Sequence, residues 1–418
     1  MDRDLTHFAA IDARLVEVAK DIKILSALAW PPSAADQFLA SWEAEDPRLP
    51  VIEAPRANHD PVLRELDTLM AACDRDHPVG RYLYRSARSY HLAARMIAGI
   101  GTPEFTAMSL ALYGGPQDPL GPTGASNLMA AEHFLRRSQD LIEVSYIPDD
   151  AYVLTPQSVA ESLQSRIEPV FHRHPIEVVI DPGMASKAAA GSSRVRIRAA
   201  TGFSPNDVAQ LIEHEIFVHS VTALNGREQP HLRSLGLGAP RTTCVQEGLA
   251  TFAEMITNSM DLGRLRRLAL RVVATEMALG GADFIDLFRF FLEQGQNQHE
   301  SFHSAMRVFR GGDVAGRVAF TKDVVYLSGL IQVHAFLLKA IQSQRPELIH
   351  HLFAGRMTLG DVLDLDPWFR SGALQGPLYE PPWIQNRASL AAFLIYSAFN
   401  TQFELADLAL QDFADRGD

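Results

Sequence analysis

The stretch LIEHEIFVHS, residues 211–220, carries two histidines, His214 and His219, around Glu215 in a largely apolar segment. A zinc ion needs both imidazole nitrogens at about 2.0–2.1 Å, so the two rings must face one point. Residues five apart on a regular α-helix are rotated by about 140°, which points the rings apart. A π-type turn, with hydrogen bonds between residues five apart, would bring them together. The spacing therefore predicts a helix that departs from α geometry between the two histidines.

A second histidine pair has the shorter spacing of the common HExxH zinc motif. The stretch NQHESFHSAM, residues 297–306, contains His299 and His303. HESFH follows the polar segment EQGQNQ, which predicts a loop or an exposed helix end where histidines need no metal. The first pair lies in a strongly apolar helix, where buried polar groups need partners. We therefore place the metal at His214 and His219 and expect the HESFH pair to bind none.

A third protein ligand is expected downstream, since a catalytic zinc site leaves only its fourth position to water. Glu247, 28 residues after His219, opens the apolar helix predicted from TTCVQEGLATFAEMITNSM. Its structural alternative is a carboxylate that stabilises a helix N-terminus. Glu254 lies on the same face two turns later, as a substitute ligand or as a carboxylate that binds a histidine ring. His231 is a weaker alternative, because it falls in a predicted loop.

The composition is that of an ordinary globular protein. The chain has 418 residues, of which 47% are hydrophobic and 21% are charged. That length suits one large domain or two to three smaller ones. The net charge of −12 argues against a nucleic-acid binder that depends on a general positive field. We therefore expect no nucleic-acid partner.

Cysteine usage and hydropathy indicate the compartment. Cys73 and Cys244 lack CxxC spacing and are too few for a disulfide framework. The N-terminus is acidic and lacks a signal-peptide core. No apolar run approaches the roughly 18 residues that span a bilayer. We therefore expect a cytoplasmic protein that has no membrane partner.

The periodicity of apolar residues predicts a mainly α protein with a small β-sheet, an α+β fold. Residues 1–150 form a predicted helical N-terminal region, and residues 151–418 form the region that carries the metal site. PIEVVIDPG (175–183) and SRVRIRAATG (193–202) predict a pair of strands separated by a small-residue loop. Ser204 then caps the helix that contains the first histidine pair.

Three motifs, in this order, resemble those of a known family. HEIFVH (214–219), NGREQP (225–230) and QEGLATFAE (246–254) are similar to motifs of bacterial QEGLA-motif proteins, some described as modulators of flavohemoglobin expression. The same set resembles the eukaryotic microtubule-associated tyrosine carboxypeptidases, which remove the C-terminal tyrosine of α-tubulin. The similarity runs through most of the chain, including GIGTPEFTAMSLALYGGP near residue 100 and FTKDVVYLSGL near residue 325.

The resemblance implies a zinc-dependent metallocarboxypeptidase with a zincin-like core, built on the HExxxH helix and the downstream glutamate helix. It implies that Zn²⁺ is held by His214, His219 and Glu247, and that Glu215 is the general base. It assigns no metal role to the HESFH pair. The implied partner is the C-terminus of a peptide or protein, with tyrosine among the residues removed.

Further residues are predicted from the chemistry of C-terminal hydrolysis. A tetrahedral oxyanion needs a hydrogen-bond donor, and Tyr326 is the candidate. A terminal carboxylate needs a fixed cation, and Arg310 and Lys322 flank the glycine-bearing loop GGDVAGR. For all three the alternative is structural, as a helix aromatic or as solvated charges. The strand at 194–199 is expected to present an edge that pairs with an extended peptide.

A regulatory or scaffold protein with a structural or vestigial zinc site is the alternative function. A structural zinc site prefers four protein ligands and has no use for a general base. The presence of Glu215 therefore favours the enzyme.

Overall fold

The computed structural model describes residues 2–53, 58–121, 124–141, 153–171, 173–182, 187–191 and 193–400. In this part of the chain, eight helices precede the sheet: α1 Asp2–Ala19, α2 Ile24–Ala27, α3 Ser33–Glu43, α4 Asp60–Ala72, α5 Pro78–Ala98, α6 Pro103–Tyr113, α7 Asn127–Ser138 and α8 Pro156–Ile167. Three of them begin with proline, which suits a first helical position because no internal hydrogen bond needs its N–H.

Eleven further helices follow the sheet in the described part of the chain. They are α9 Pro205–Leu211, α10 Val221–Arg227, α11 Thr243–Ile256, α12 Leu262–Gly280, α13 Phe284–Glu293, α14 Gln298–Phe309, α15 Val325–Gln342, α16 Glu347–His351, α17 Leu359–Arg370, α18 Pro382–Gln385 and α19 Arg387–Asn400. A π-turn, Ile212–Ser220, joins α9 to α10. The predicted fold class, mainly helical with a small sheet, is confirmed.

Between the two groups of helices in chain order there is a three-stranded sheet. Its strands are β1 Glu177–Asp181, β2 Ala188–Ala190 and β3 Arg194–Arg198, in the spatial order β1-β3-β2. β1 pairs with β3 in parallel and β2 pairs with β3 antiparallel. Val195 and Ile197 of β3 are buried and alternate with arginines. The predicted pairing of the two valine- and isoleucine-rich segments is therefore confirmed.

The sequence prediction was wrong about the edge of this sheet. β2 falls in the segment predicted as a loop, because three alanines carry none of the β-branched or aromatic side chains that favour strands. Since β3 has a partner strand on each side, residues 194–198 form the centre of the sheet and not an exposed edge. The edge on that side belongs to β2.

A capping box begins the helix that carries the first histidine pair. The Ser204 hydroxyl accepts a hydrogen bond from the Asp207 N–H, and the Asp207 carboxylate accepts one from the Ser204 N–H, at 3.2 and 2.8 Å. These bonds satisfy two donors that an uncapped helix would leave free. The predicted start of the helix is confirmed.

The main core is a hydrophobic cluster that extends from Phe8 in α1 to Leu394 in α19. A second cluster is rich in phenylalanine and packs Phe38 of α3 against Phe284 and Phe288 of α13. The division of the chain near residue 150 stays a prediction, because residues 142–152 lie outside the described part.

Helices α11 and α15 cross at a pair of glycines, Gly248 and Gly329. A Cβ atom on Gly248 of α11 would lie 2.4 Å from the backbone of Gly329 in α15. A Cβ on Gly329 would lie 2.2 Å from the Cys244 carbonyl oxygen. The two backbones therefore touch, which brings the N-terminal end of α15 beside Glu247 in α11.

Within the described residues, one helical stretch, Thr321–Gln342, is long and apolar enough by length and composition to cross a membrane. The core helix of a soluble protein passes the same test, and 56% of the apolar 18-residue window in this stretch is buried inside the fold. The absence of a membrane partner and the cytoplasmic location stay predictions.

Substitution of Gly248 by alanine should separate α11 from α15. The added methyl group has only backbone to displace, so we expect the free energy of unfolding to fall by about 1–3 kcal/mol. Gly280→Ala is the matched control, since a Cβ there meets no atom within 4 Å. It should change stability by less than about 1 kcal/mol. Denaturant unfolding of both variants tests this, and equal stability of the two would contradict the close crossing.

Asp12 of α1 is a buried carboxyl that predicts a pH dependence of stability. Both of its oxygens accept the Ser234 N–H at 3.2 Å. Burial raises the pKa of Asp12 from 3.8 to about 6, although the bonds from Ser234 oppose the shift. Between about pH 4 and pH 6 the folded state thus holds a proton on Asp12 that the unfolded chain has already lost. This contribution to stability is complete below pH 4 and is lost as the pH rises through 6.

The variant Asp12→Asn keeps an acceptor for Ser234 but cannot ionise. Its free energy of unfolding, relative to wild type, should rise by up to about 3 kcal/mol between pH 4 and pH 7. Chemical denaturation at the two pH values measures the difference. A difference that is independent of pH would show that Asp12 titrates as it does in the unfolded chain.

Candidate metal centre

The π-turn brings the rings of His214 and His219 together. Residues 212–220 form a continuous π segment between two regular α-helices, which confirms the predicted departure from α geometry. The ring centres lie 4.9 Å apart, and the ring planes meet at 83°. Both side chains are largely buried, with 10% and 14% of their surface exposed. The five-residue spacing is therefore compatible with both histidines binding one metal ion.

Glu247 completes a group of three donors. Its Oε2 lies 3.5 Å from Nε2 of His214 and 3.6 Å from Nε2 of His219. All three donor atoms lie within 4.8 Å of one another. Donors bound tetrahedrally at zinc distances lie about 3.3 Å apart, which follows from bond lengths of about 2.0–2.1 Å. The two distances from Glu247 are therefore close to those between ligands of a tetrahedral cation, whose fourth position would fall to another ligand.

The charges of the triad depend on one another. Burial would raise the pKa of Glu247, but Lys322 and the two histidines lower it well below its ordinary value. Burial would lower the pKa of His214, but hydrogen bonds with Glu247 and Glu254 raise it to about 10. A cation that binds here must displace the proton on His214, so its affinity should increase with pH.

Glu254 binds the other side of the His214 ring. Its Oε1 lies 2.6 Å from Nδ1 of His214, whereas Nε2 of that ring faces Glu247. Because a carboxylate only accepts, the bond fixes a ring proton on Nδ1, so the proton that a metal would displace is the one on Nε2. Of the two roles predicted for Glu254, the structure places it as the carboxylate that orients the histidine ring.

Glu254 is itself held by two donors that the sequence analysis did not identify. Arg264 donates to both of its oxygens at 3.1 and 3.2 Å, and Gln210 donates at 2.7 Å. The carboxyl group has no exposed surface, and Arg264 and His214 oppose the effect of burial on it and lower the pKa of Glu254 to about 2. No spacing signal predicts these contacts, since the three residues lie on separate helical segments.

Glu215 faces the sheet. Its Oε2 accepts a hydrogen bond from the Ala190 N–H of β2 at 3.0 Å. The backbone groups of Lys187 and Gly191, on either side of Ala190 in the chain, bond to β3. Since these groups alternate in an antiparallel ladder, the N–H of Ala190 points away from β3. Glu215 thus lies against the outer edge of β2, within electrostatic reach of His214.

Lys322 and Tyr326 lie beside the triad. Lys322 Nζ is 3.1 Å from Glu247 Oε1 and 3.5 Å from the Tyr326 hydroxyl. Both side chains are nearly buried. The structure therefore brings these two predicted residues to the candidate site, with the lysine charge paired to Glu247.

Arg310 belongs to the same buried group of charges. Its guanidinium lies over the Phe320 ring at 5.2 Å, and among the described residues its Nε has no hydrogen-bond partner. Burial, together with the charge of Arg307, lowers the pKa of Arg310 to about 10. Arg307 is paired with Asp323 through bonds of 2.5 and 2.7 Å. Arg310 thus has no comparable carboxylate contact in the described chain.

A model of the microtubule-associated tyrosine carboxypeptidase family matches residues 36–402. The chain belongs to this family. No curated protein matches the sequence. The match covers the triad, Glu215 and every other predicted site residue, whereas α1 and α2 precede it. Membership of this peptidase family supports an enzymatic role, and the predicted relationship is confirmed.

The alternative histidines lie outside the triad. His299 and His303 are on α14, where the intervening Glu300 forms a capping box with Asn297. The one group of three donors found in the described residues contains neither of them, nor His231. For the family member, the triad around Glu247 is thus the candidate metal site.

The triad predicts which substitutions change metal affinity. His214→Ala should abolish zinc binding, and Glu254→Gln should weaken it by about 10- to 100-fold because the ring loses its fixed tautomer. His299→Ala is the control and should bind zinc as wild type does. Competition between a chelator and the purified, metal-free apoprotein measures the affinities. Retention of zinc by His214→Ala together with its loss in His299→Ala would show that the metal lies elsewhere.

Proposed function

We propose that the chain is a zinc-dependent carboxypeptidase that removes a C-terminal residue, with tyrosine as the first candidate, from a peptide or protein. The observation that carries this proposal is a largely buried triad of two histidines and one glutamate, with the carboxylate of Glu215 next to His214 in the chain. The family description supports the choice of a C-terminal substrate. We further propose that the π-turn helix and α11 form a zincin-like core.

The proposed zinc ligands are His214 Nε2, His219 Nε2 and a carboxylate oxygen of Glu247. The donor set favours zinc, because imidazole and carboxylate ligands in a tetrahedral arrangement suit this ion. When bound, zinc supplies Lewis acidity: it polarises a peptide carbonyl and lowers the pKa of water toward neutrality.

Glu215 is the proposed general base. It accepts a proton from the attacking water and later donates that proton to the nitrogen of the departing amino acid, so that the amine leaves as a neutral group. The hydrogen bond from Ala190 occupies one oxygen and fixes the orientation of the carboxylate. Such positioning of a base reduces the reorganisation that the reaction requires.

The outer edge of β2 is the proposed binding surface for the substrate backbone. In an antiparallel ladder the backbone groups of alternate residues point away from the partner strand, so the N–H and C=O groups of Ala188 and Ala190 point to the outer edge of β2. The Ser220 hydroxyl donates to the Gly191 carbonyl at 2.8 Å and ties the strand to the π-turn. Since the Ala190 N–H is already donated to Glu215, an extended peptide that paired with β2 would use the groups of Ala188 and pass beside Glu215.

The predicted roles of the other three residues form part of the proposal. Arg310 binds the terminal carboxylate of the substrate, supported by its buried Nε without a partner in the described chain. Lys322 contributes positive charge there and holds Glu247 at 3.1 Å. Tyr326 donates to the oxyanion, supported by its position beside Lys322. The cations of this group outnumber its two carboxylates, Glu247 and Asp323, which favours an anionic ligand.

Glu215→Gln tests the proposed reaction. Zinc-loaded wild type should release one C-terminal residue from peptides that differ only at that position, as read by mass spectrometry. The variant should lower kcat by about 10²- to 10⁴-fold, because it cannot accept the proton. Its zinc content should stay at the wild-type level, since no ligand is changed.

Amidated peptides and Arg310→Met provide the controls for this experiment. Amidation removes the terminal carboxylate, so it should reduce cleavage by wild type far more than cleavage by Arg310→Met. Cleavage of internal bonds would contradict the carboxypeptidase assignment. A wild-type protein that binds zinc but shows no Glu215-dependent cleavage would instead support the regulatory or scaffold alternative.

A further inference from the structure

Arg356 reaches the candidate metal centre from a distant part of the chain. It lies in the loop 352–358, which follows α16. Its Nη2 donates to the backbone carbonyl of His219 at 3.0 Å, across 137 residues of sequence. The accepting carbonyl lies at the C-terminal end of the π-turn, on one of the proposed metal ligands.

The loop that carries Arg356 is fixed by close backbone contacts. The Arg356 N–H donates to the Leu235 carbonyl at 2.6 Å. A Cβ atom on Gly355 would lie 2.8 Å from the Leu235 side chain, and one on Gly226 would lie 2.2 Å from the Leu235 backbone. The glycines thus allow the loop and α10 to contact the same short segment, and the guanidinium starts from a rigid backbone.

The charge of Arg356 has no carboxylate within ion-pair distance among the described residues, and its Nε is buried there without a hydrogen-bond partner. Burial lowers the pKa of Arg356, while the nearby groups Tyr90, Glu247 and Glu215 act in the opposite direction. Arg264, by contrast, contacts both oxygens of Glu254. A buried cation without a close counter-ion is costly, so its place in the field of two site carboxylates needs an explanation.

A purely structural role does not require this charge. A neutral donor would satisfy a carbonyl at a lower desolvation cost. A charge-assisted bond is stronger, however, and it acts where the π-turn departs from the favoured helical geometry. The cation also offsets the repulsion between the two anionic side chains of the site.

We infer that Arg356 is a positioning residue for the metal centre: it fixes the backbone of His219, and hence the direction of that ring, while its charge balances Glu215 and Glu247. This inference rests on the proposed metal-binding function. Arg356 itself is not assigned a contact with the metal or the substrate.

Zinc affinity of the full-length apoprotein, measured by chelator competition, tests the inference without any assay of activity. Arg356→Met should weaken zinc binding by about 10-fold or more, the effect typical of residues that orient metal ligands. Arg356→Lys should restore part of the affinity, because it keeps the charge but not the planar fork. The visible spectrum of the Co²⁺-loaded protein should shift in the methionine variant, since it reports ligand geometry.

Arg266→Met is the matched control. Arg266 is buried and donates to the Leu135 carbonyl, the Ser138 hydroxyl and the side-chain oxygen of Gln294. These contacts connect α12 to α7 and to the end of α13, and none of them reaches the triad. This variant should lose stability but bind zinc within about twofold of wild type, because it leaves the ligands and the residues that orient them unchanged.

Gly238→Ala perturbs the same contact without removing the arginine. A Cβ at this exposed position would lie 2.8 Å from Nη1 of Arg356, the flexible end of the side chain. The fold should tolerate the change, while the guanidinium should move and zinc binding should weaken. In the double variant with Arg356→Met the effects should not add, because both act on one contact.

The outcomes separate the inference from the proposed function. If wild type binds no zinc, the metal proposal is wrong and the inference fails with it. If wild type binds zinc and folded Arg356→Met binds it equally well, the inference alone is wrong. Should Arg356→Met fail to fold, Gly238→Ala decides, and unchanged zinc affinity and an unchanged Co²⁺ spectrum in that variant overturn the inference.

Discussion

The turn between His214 and His219 must widen by one residue for both rings to face Glu247, and the surrounding structure is arranged around this requirement. A π segment of this length lacks the favoured α geometry, so it depends on contacts outside itself. Regular helices hold both of its ends, with a capping box at the start of α9. On one side α11 packs along it and supplies Glu247 and Glu254, and on the other side β2 contacts Glu215.

The close crossing of α11 and α15 connects the turn to the cations of the site. Because Gly248 and Gly329 carry no side chains, the two helices approach until their backbones touch. Glu247 precedes the first of these glycines, and the 3₁₀ turn that leads into α15 carries Lys322. The glycine of the QEGLA motif is therefore explained by packing, while the glutamate beside it is explained by the donor triad.

Buried charges in this region occur in compensated groups. Glu254 is balanced by Arg264 and His214, and Asp323 is balanced by Arg307. Arg310 and Arg356 are the exceptions, since each has a buried Nε without a hydrogen-bond partner among the described residues. Arg310 belongs to the group of charges around Lys322, whereas Arg356 lies near Glu215 and the π-turn. The unpaired charge of Arg310 is consistent with the proposed anionic substrate, since natural proteins depart from full pairing mainly where function requires it. The charge of Arg356 instead lies in the field of Glu215 and Glu247.

The sequence by itself determined the features that depend on local spacing: the helical class, the capped start of α9, the departure from α geometry in HEIFVH and the choice of this pair over HESFH as the candidate site. Each follows from the rotation of neighbouring residues about one helix axis or from burial within one segment. The tertiary structure alone decided which role Glu254 has, that alanine-rich β2 and not β3 forms the sheet edge, that Lys322 pairs with Glu247, and that Arg356 reaches His219. These contacts join residues that are tens to more than a hundred positions apart, and no periodicity in the chain encodes them, because they arise only when separately folded segments pack together.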